Sequence, residues 1–265
     1  MKNPYMPKKY KIIDIQQQSP IDYTFRLSCD MKPKNGQFVE VSIPKIGEAP
    51  ISISDFGEGT IDMTIRRVGK VTDYLHGLKP GDTMFLRGPY GNGFPLEQYK
   101  GKQLIIAAGG TGLAPVKSMI NYFHRNPEEI ERLDLLIGFK SVEDILFKEE
   151  IEAWMKNEKF HVILTIDREE EGWDGNVGLV TKFVPQIEIL DDDKLEVIVV
   201  GPPLMMKFTG LEFQKREIPE KQIWVSFERK MSCGIGKCGH CKIDETYVCL
   251  EGPVFNYTQA KKLID

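Results

Sequence analysis

The chain has few of the features that mark membrane, secreted or nucleic-acid-binding proteins. No apolar run approaches the roughly 18 residues that a membrane helix needs, and the first residues, "MKNPYMPKKYKIIDI", lack the apolar segment and cleavage site of a signal peptide. Positive charge is not in excess either. The formal net charge is -4, which disfavours a sequence-independent hold on a phosphate backbone. We therefore expect a cytoplasmic protein with no membrane span and no nucleic-acid partner.

Cysteine is scarce outside one short segment. Four of the five cysteines lie in "SCGIGKCGHCKIDETYVC", residues 232–249, and the fifth is the solitary Cys29. In a reducing compartment such a group is more often a metal site than a disulfide framework. Cys29 is predicted to be a small buried residue of the N-terminal domain.

Two patterns follow one another along the 265 residues. Up to residue 99, short alternating segments such as "QFVEVSI" and "TIDMTIRRV" are separated by turn sequences such as "PKNG" and "KPGD", which is typical of an antiparallel β-barrel or sandwich. From residue 100 to 227, near-continuous apolar strands such as "QLIIAAG" and "LEVIVVG" alternate with helical stretches, which indicates a parallel sheet with both faces covered. Residues 228–265 are too few for a core of their own, and we expect this tail to fold around a metal.

The thiol spacing narrows the kind of metal site. The four cysteines follow C-x4-C-x2-C-x7-C: Cys233, Cys238, Cys241 and Cys249. The first three match the loop of plant-type [2Fe-2S] proteins, and the intervening glycines let the backbone approach a cluster closely. A structural zinc site is the alternative, although such sites more often pair two short C-x2-C arms. His240 is interpreted as a bystander, because four cysteines already complete a ligand set.

Two glycine-containing turns indicate a nucleotide site. In "LIIAAGGTGLAPVKSMI" an apolar strand enters a turn and then a helix, which directs backbone N–H groups at an anion. "VIVVGPPLMM" ends a second apolar strand in a tight turn, expected at the same carboxyl edge of the sheet, where ligands of open α/β sheets bind. A side chain at Gly112 is expected to crowd a bound phosphate. The candidate residues are Gly109, Gly110, Thr111, Gly112, Pro115, Gly201, Pro202, Pro203 and Met205.

The barrel region contains a third group of candidates. "APISIS" and "TIRRVGKVTDYL" place hydroxyl groups, glycine and arginine beside strand patterns, where they could serve as donors to a phosphorylated cofactor. Exposed polar residues on ordinary strands are the alternative interpretation. The candidates are Ser52, Ser54, Arg66, Arg67, Gly69 and Thr72.

In this order, the motifs resemble the ferredoxin-NADP reductase superfamily. The resemblance implies a flavin-binding barrel, a nicotinamide-binding α/β domain with GGTGxAP and GPP turns, and, through "CGIGKCGHC...VCLEGPVF", a small [2Fe-2S] tail. It adds Pro50, Ile51, Ile65 and Val71 to the flavin contacts. The chain departs from the superfamily at Ala49, where an arginine usually binds phosphate, and Arg66 and Arg67 are expected to compensate.

Within the superfamily, the tail resembles a branch of electron-transfer subunits that serve dihydroorotate dehydrogenase, sulfhydrogenases and anaerobic sulfite reductases. "APISIS", "LRGPYGNGF" and "VSFERKMSCGIGKCGHCKI" most resemble the sulfite reductase type. This resemblance implies electron flow from NADH, or NADPH, through FAD and a [2Fe-2S] cluster to iron-sulfur and siroheme-type catalytic subunits in a hetero-oligomer. A dihydroorotate dehydrogenase partner, a NiFe hydrogenase partner and a zinc-stapled binding module remain as alternatives.

Overall fold

Six antiparallel strands near the N-terminus close into a barrel with the order β1-β2-β5-β4-β3-β6. The computed structural model describes residue 3 and residues 5–263 of the chain. One short helix, α1, follows β5. The bounds are β1 (Lys8–Gln17), β2 (Asp22–Ser28), β3 (Phe38–Ile43), β4 (Gly47–Gly57), β5 (Thr60–Arg66), α1 (Lys70–Leu75) and β6 (Thr83–Tyr90).

Strand β3 shows how the alternating pattern is used. Val39, Val41 and Ile43 belong to the barrel core, so the period of two places Glu40 and Ser42 on the opposite face. All six residues of β3 are nevertheless buried, and the outer face of this strand is therefore covered as well. Cys29 is 3% exposed and packs in the same core, which confirms its predicted role.

A seven-stranded sheet with the order β10-β9-β8-β7-β11-β12-β15 forms the second part of the fold. The neighbours from β10 through β12 pair in parallel, as the apolar strand pattern predicts. Its elements are β7 (Gln103–Gly109), α2 (Ala114–Arg125), β8 (Arg132–Phe139), α3 (Lys148–Met155), β9 (Phe160–Ile166), β10 (Asn176–Val177), β11 (Leu195–Val200), α4 (Pro203–Lys215) and β12 (Ile223–Ser226).

The cysteine-containing segment forms a small hairpin and two short helices, one before and one after the last strand. Its elements are β13 (Lys242–Ile243), β14 (Thr246–Tyr247), α5 (Val248–Glu251), β15 (Val254–Asn256) and α6 (Tyr257–Ala260). The chain forms two compact units by its internal contacts. Residues up to 94, 114–118 and 227–254 form the barrel unit, and the other described residues form the sheet unit. The four cysteines, with residues 227–254, thus belong to the barrel unit, whereas most of β15 and all of α6 belong to the sheet unit.

The predicted succession of an antiparallel barrel, a parallel-sheet domain and a small C-terminal segment is confirmed. Among the described residues, no helix combines the length and the apolar character needed to cross a membrane.

Candidate functional site

The four clustered thiols belong to one short segment of the chain. Within it, Cys249 N donates to the Sγ atom of Cys241 at 3.4 Å. Cys238 is exposed, whereas the other three are buried. In the described part of the chain, no three or more His, Cys, Asp or Glu side chains are grouped so that they could hold a metal ion. The four thiols are therefore neighbours along one segment, which is open to solvent at Cys238.

Backbone N–H groups of the loop point at these sulfurs. The Sγ atom of Cys233 accepts from Ile235 N at 3.5 Å and from Lys237 N at 3.3 Å. The Sγ atom of Cys249 accepts from Gly236 N at 3.2 Å. Gly236 has a φ of 68°, a left-handed conformation that favours glycine and that curls the loop around the thiols. Amide donors directed at sulfur are a known means of stabilising thiolate ligands of iron-sulfur clusters.

The pKa values of two buried thiols, Cys233 and Cys249, are shifted in opposite directions. Burial raises the pKa of the Cys233 thiol, but hydrogen bonds from the backbone of Ile235, Lys237 and Cys238 outweigh it and lower the pKa to about 6. Burial raises the pKa of the Cys249 thiol to about 12, with further contributions from its neighbours Cys241 and Cys233. A thiol with a lowered pKa is readily available as the thiolate that metal binding requires. The chemistry of this donor set, four thiols with amide donors, suits an iron-sulfur cluster, although the described side chains do not converge as they would around a single metal ion.

The flavin candidates on strand β4 lie at two depths. Pro50, Ile51 and Ser52 are half-buried, whereas Ser54 is fully buried and accepts a hydrogen bond from the Thr64 hydroxyl at 3.2 Å. Ser54 is therefore tied into the barrel. The half-exposed run from Pro50 to Ser52 is the part of this strand that remains accessible to a flavin.

The remaining flavin candidates lie at the end of β5 and on α1. Ile65 is buried in the core, and Arg66 forms a two-point pair with the buried Asp22, with both N–O distances at 2.9 Å. Arg67 is exposed and pairs with Asp73 at 2.9 Å. The structure thus places both arginines beside carboxylates.

The turn between β5 and α1 is ordered by one hydroxyl. The Thr72 hydroxyl accepts from Val68 N and Gly69 N at 2.9 and 3.0 Å and donates to the Gly69 carbonyl oxygen. Apart from Gly69 and its chain neighbours, no atom of the described residues lies within 4 Å of the place where a Gly69 side chain would begin, so open space adjoins the turn. Val71 is half-buried and packs against the barrel core. The accessible strand, the two arginines and this open turn fit a phosphorylated cofactor.

The structure brings the two predicted nucleotide turns together in the sheet unit. Strands β7 and β11 are adjacent and parallel, with Ala108 level with Val200, so both turns start at the same edge. A side chain on Gly109 would begin 2.3 Å from the sulfur of Met205. One on Gly112 would begin 2.5 Å from the carbonyl oxygen of Val200. Close packing of the turns therefore explains the glycine at position 112, where the sequence suggested the approach of a phosphate.

The first turn continues into a helix as the motif predicts. Residues from Gly110 to Leu113 form one 3-10 turn, and α2 begins at Ala114 with Pro115 in its first turn. Gly110 has a φ of 56° with nothing within 4 Å of the place where a side chain would begin, and Thr111 is half-buried. In the second turn, Gly201 and Met205 are half-buried, while Pro202 and Pro203 are exposed. The open space at Gly110 is where a nucleotide could approach the backbone.

A buried charged group next to the cysteine segment is not evident from sequence motifs. The guanidinium of Arg87 on β6 donates to both carboxylate oxygens of Glu48, to the Tyr90 hydroxyl, and to the carbonyl oxygens of Ser232 and Cys233. Arg87 is 4% exposed. The sequence signal was present as an arginine inside the apolar strand "TMFLRGPY", within a motif that carried the family resemblance but no assigned role.

Glu40 is the second buried charge in this region. It is fully buried on β3, paired in register with Pro50 of β4 and Arg87 of β6, and its carboxylate oxygens have no hydrogen-bond partner within the described residues. Burial raises the pKa of Glu40 to about 7, against the opposing charge of Arg87, and the charges of Glu48 and Cys233 raise it further.

Comparisons with known proteins agree with this arrangement. Residues 18–94 match the oxidoreductase FAD-binding domain, residues 106–210 match the oxidoreductase NAD-binding domain, and residues 228–261 match the iron-sulfur cluster binding domain of dihydroorotate dehydrogenase B. The three matches coincide with the barrel, the two glycine turns and the cysteine segment.

The similarity to relatives and to a solved structure covers nearly the whole chain. The gamma subunit of sulfhydrogenase 2 from Pyrococcus furiosus is 36% identical, with 97% of each chain covered. A probable dihydroorotate dehydrogenase B electron transfer subunit from Methanocaldococcus jannaschii is 33% identical, covering 92% of this chain and 88% of that protein. A chain of the NADH-dependent reduced ferredoxin-NADP oxidoreductase, solved in work on flavin-based electron bifurcation, superposes with a TM-score of 0.77 at 25% identity, covering 94% of this chain and 88% of that one. The chain therefore belongs to the family of FAD- and NAD-binding iron-sulfur electron-transfer subunits, within the ferredoxin-NADP reductase superfamily, that includes the sulfhydrogenase gamma and dihydroorotate dehydrogenase B subunits.

Proposed function

We propose that this chain takes electrons from NADH, passes them through FAD to a [2Fe-2S] cluster, and delivers them to a partner subunit that reduces sulfite to sulfide. One observation carries the electron-transfer part: four clustered thiols, with amide donors directed at Cys233 and Cys249, belong to the same compact unit as the strand expected to contact flavin. Four thiolates are the ligand set of a two-iron cluster.

The chemistry explains why the three sites occur in one chain. Nicotinamide gives up two electrons as a hydride, whereas an iron-sulfur cluster accepts one electron at a time, and a bound flavin converts between the two modes. No side chain needs to act as a general acid or base in this sequence. The task of the residues is to bind and align: Gly110 and Thr111 offer backbone groups to the nicotinamide nucleotide, and Pro50 to Ser52 form the wall of the flavin site.

The cysteine segment is proposed to be the exit for electrons. Cys238 is the one exposed thiol of the four, so the cluster is most accessible on that side. Lys237, His240 and Leu250 are exposed nearby in sequence, and the Leu250 side chain lies against Gly236. This surface offers a partner both apolar area and a positive charge, and we place the docking of the catalytic subunit there.

The proposal of NADH over NADPH rests on charge. Asp167 directly follows strand β9 at the carboxyl edge of the sheet, and the acidic run from Glu169 to Glu171 is close to it in sequence. A 2'-phosphate is usually met by a basic group, whereas an acidic residue suits the ribose hydroxyls of NADH. Two basic residues, Lys140 and Arg168, also follow strands β8 and β9 at this edge, but Asp167 and the acidic run from Glu169 to Glu171 flank Arg168 in sequence.

The proposal that sulfite is the terminal acceptor rests on the resemblance of "VSFERKMSCGIGKCGHCKI" to sulfite reductase electron-transfer subunits. Sulfite reduction consumes six electrons, and a single cluster uses all four clustered cysteines of this chain. The siroheme and further iron-sulfur centres would therefore belong to partner subunits. A partner of the sulfhydrogenase type is the second candidate, and the 36% identity over 97% of both chains favours it.

Two experiments test the proposal in order. The purified chain should be yellow-brown and contain about one FAD, two irons and two acid-labile sulfides, and NADH should bleach its flavin. A colourless zinc-containing protein would support the zinc-stapled module and contradict the whole assignment.

The second experiment addresses the acceptor. The chain alone should pass electrons from NADH to an artificial dye but produce no sulfide from sulfite, and sulfide should appear only when siroheme-containing partner subunits are added. Sulfide formation by the chain alone would contradict the sulfite assignment. So would the absence of sulfide from every combination of subunits in which the chain still reduces the dye. Hydrogen-dependent reduction of NAD⁺ with a hydrogenase partner would support the second candidate.

A further inference from the structure

The carbonyl groups on both sides of the Cys233 α-carbon are held by one side chain. Arg87 Nη1 donates to the carbonyl oxygen of Cys233 at 2.6 Å, and Nη2 donates to the carbonyl oxygen of Ser232. These two peptide groups flank the Cys233 α-carbon, so fixing both of them fixes the direction of its Cα–Cβ bond, from which the thiol projects. Cys233 is the first of the four clustered thiols.

The same guanidinium is anchored to the barrel strand expected to contact flavin. Arg87 Nε and Nη2 donate to the two carboxylate oxygens of Glu48 on β4 at 3.0 and 2.5 Å. Glu48 precedes Pro50, the first of the half-exposed flavin candidates, by two positions on that strand. The remaining Nη1 N–H donates to the Tyr90 hydroxyl at 3.3 Å. All five N–H donors of Arg87 therefore have acceptors.

We propose that Arg87 is a positioning residue for the iron-sulfur cluster: it locks the peptide that carries the first thiolate ligand onto the flavin strand. The proposal rests on the proposed function, which assigns the four cysteines as cluster ligands. With flavin and cluster bound, a first ligand that keeps one place relative to the flavin strand would also keep the distance between the two groups constant.

Arginine is required by the geometry. A planar guanidinium can reach a carboxylate on one edge and two carbonyls on the other, whereas a lysine has three donors on a single nitrogen. At 4% exposure, water has little access to replace a lost contact. The loop also packs against Tyr90, the last residue of β6, since a side chain on Gly234 would begin 2.7 Å from the Tyr90 ring. Arg87 and Tyr90, both on β6, therefore hold the backbone around Cys233 together.

The test compares Arg87→Met and Arg87→Lys with the wild type and with Arg26→Met in the holoprotein. Arg26 is the control for loss of a two-point arginine–carboxylate pair, because it joins Asp62 across two strands of the same barrel at 2.8 and 2.7 Å, although its side chain is 53% exposed whereas that of Arg87 is buried. Iron release to a strong chelator is followed at low temperature, together with the EPR spectrum of the dithionite-reduced cluster and the flavin content. In Arg87→Met, release should be faster by roughly tenfold or more, as expected from losing two charge-assisted hydrogen bonds to the loop.

The expected pattern separates a positioning role from a structural one. Arg87→Met should show a broadened or shifted EPR signal with flavin content and flavin reduction by NADH unchanged, Arg87→Lys should be intermediate, and Arg26→Met should match the wild type. An EPR signal and a release rate equal to those of the wild type in Arg87→Met would overturn the proposal. So would loss of flavin from both Arg87 variants, which would make Arg87 a determinant of barrel folding. A wild type without iron would instead overturn the cluster assignment, and the Arg87 role with it.

Discussion

Replacing Glu40 by Gln should stabilise the protein increasingly as the pH rises. Glu40 is fully buried, and its carboxylate oxygens have no hydrogen-bond partner in the described part of the chain. Burial raises its pKa from 4.5 to about 7, partly opposed by the Arg87 guanidinium and assisted by the charges of Glu48 and Cys233. The folded state therefore binds the proton more tightly than the unfolded chain does.

The sign and size follow from proton linkage. A carboxyl group whose pKa is raised by folding contributes its full stability below the ordinary pKa of 4.5, and that contribution is lost as the pH rises through about 7. At 1.36 kcal/mol for each pH unit, the loss is about 3 kcal/mol, most of it between pH 5 and pH 8. Glutamine cannot ionise, so the Glu40→Gln variant should escape this loss. An unpaired buried amide adds a penalty that does not vary with pH, and this shifts the comparison without changing its slope.

The assay is the midpoint of thermal unfolding of the FAD-loaded protein, followed by flavin fluorescence at several pH values from 5 to 8.5. With about 2–4 °C for each kcal/mol in a chain of this size, the midpoint of Glu40→Gln relative to the wild type should rise by roughly 5–10 °C across that range. Glu48→Gln is the control without a slope. Burial raises the pKa of Glu48, but its hydrogen bonds from Arg87 and Ser42 more than offset this and lower it, so its stabilising contribution is fully present above its ordinary pKa of 4.5 and the difference from the wild type should be nearly constant from pH 5 to 8.5. A flat difference for Glu40→Gln, or one that falls as the pH rises, would refute the reasoning.

Three further predictions concern the cluster and the nucleotide turn. Cys238→Ser should lose iron while retaining FAD and dye reduction with NADH, as measured by metal and flavin analysis, and simultaneous loss of FAD would show that the cysteine segment helps to build the flavin site. Removing the iron with a chelator under reducing conditions should likewise leave the flavin bound and the circular dichroism of the barrel intact, and unfolding on iron removal would contradict this. Gly112→Ala should lower the free energy of unfolding, measured in urea without nucleotide, by roughly 1–3 kcal/mol, because the new side chain would begin 2.5 Å from the Val200 carbonyl oxygen. Unchanged stability together with a raised KM for NADH would show instead that the glycine is needed for nucleotide binding.

The features that the sequence predicts well are those whose chemistry is local in the chain. The four thiols lie within 17 positions of one another, and each glycine turn directly follows the apolar strand that positions it. Strand β3 was predictable for the same reason, since alternation alone identifies Val39 and Val41 as core residues. The packing of Gly112 against Val200 was not predictable, because it depends on which strands are neighbours in the sheet.

The buried charges around the cysteine segment illustrate what sequence patterns cannot supply. Arg87 is 39 positions from Glu48 and 146 from Cys233, and only the pairing of β6 with β3 and of β3 with β4 brings these residues together. The available signal was an ionisable residue inside each of two apolar strands. Such residues are costly to bury alone, so their presence predicts buried partners without saying which ones.

The structure also changes the account of how the cysteine segment is held. The sequence suggests that the segment folds around its metal, yet its two ends are anchored by the barrel unit. Arg87 binds the carbonyl oxygens at its start, and at its end Asn92 donates to the carbonyl oxygens of Glu251 and Val254 while accepting from Val254 N. Both anchors come from one stretch of six residues, "RGPYGN", at the end of β6. The barrel therefore fixes where the segment lies, and the metal has only to order the thiols within a loop whose ends are already in place.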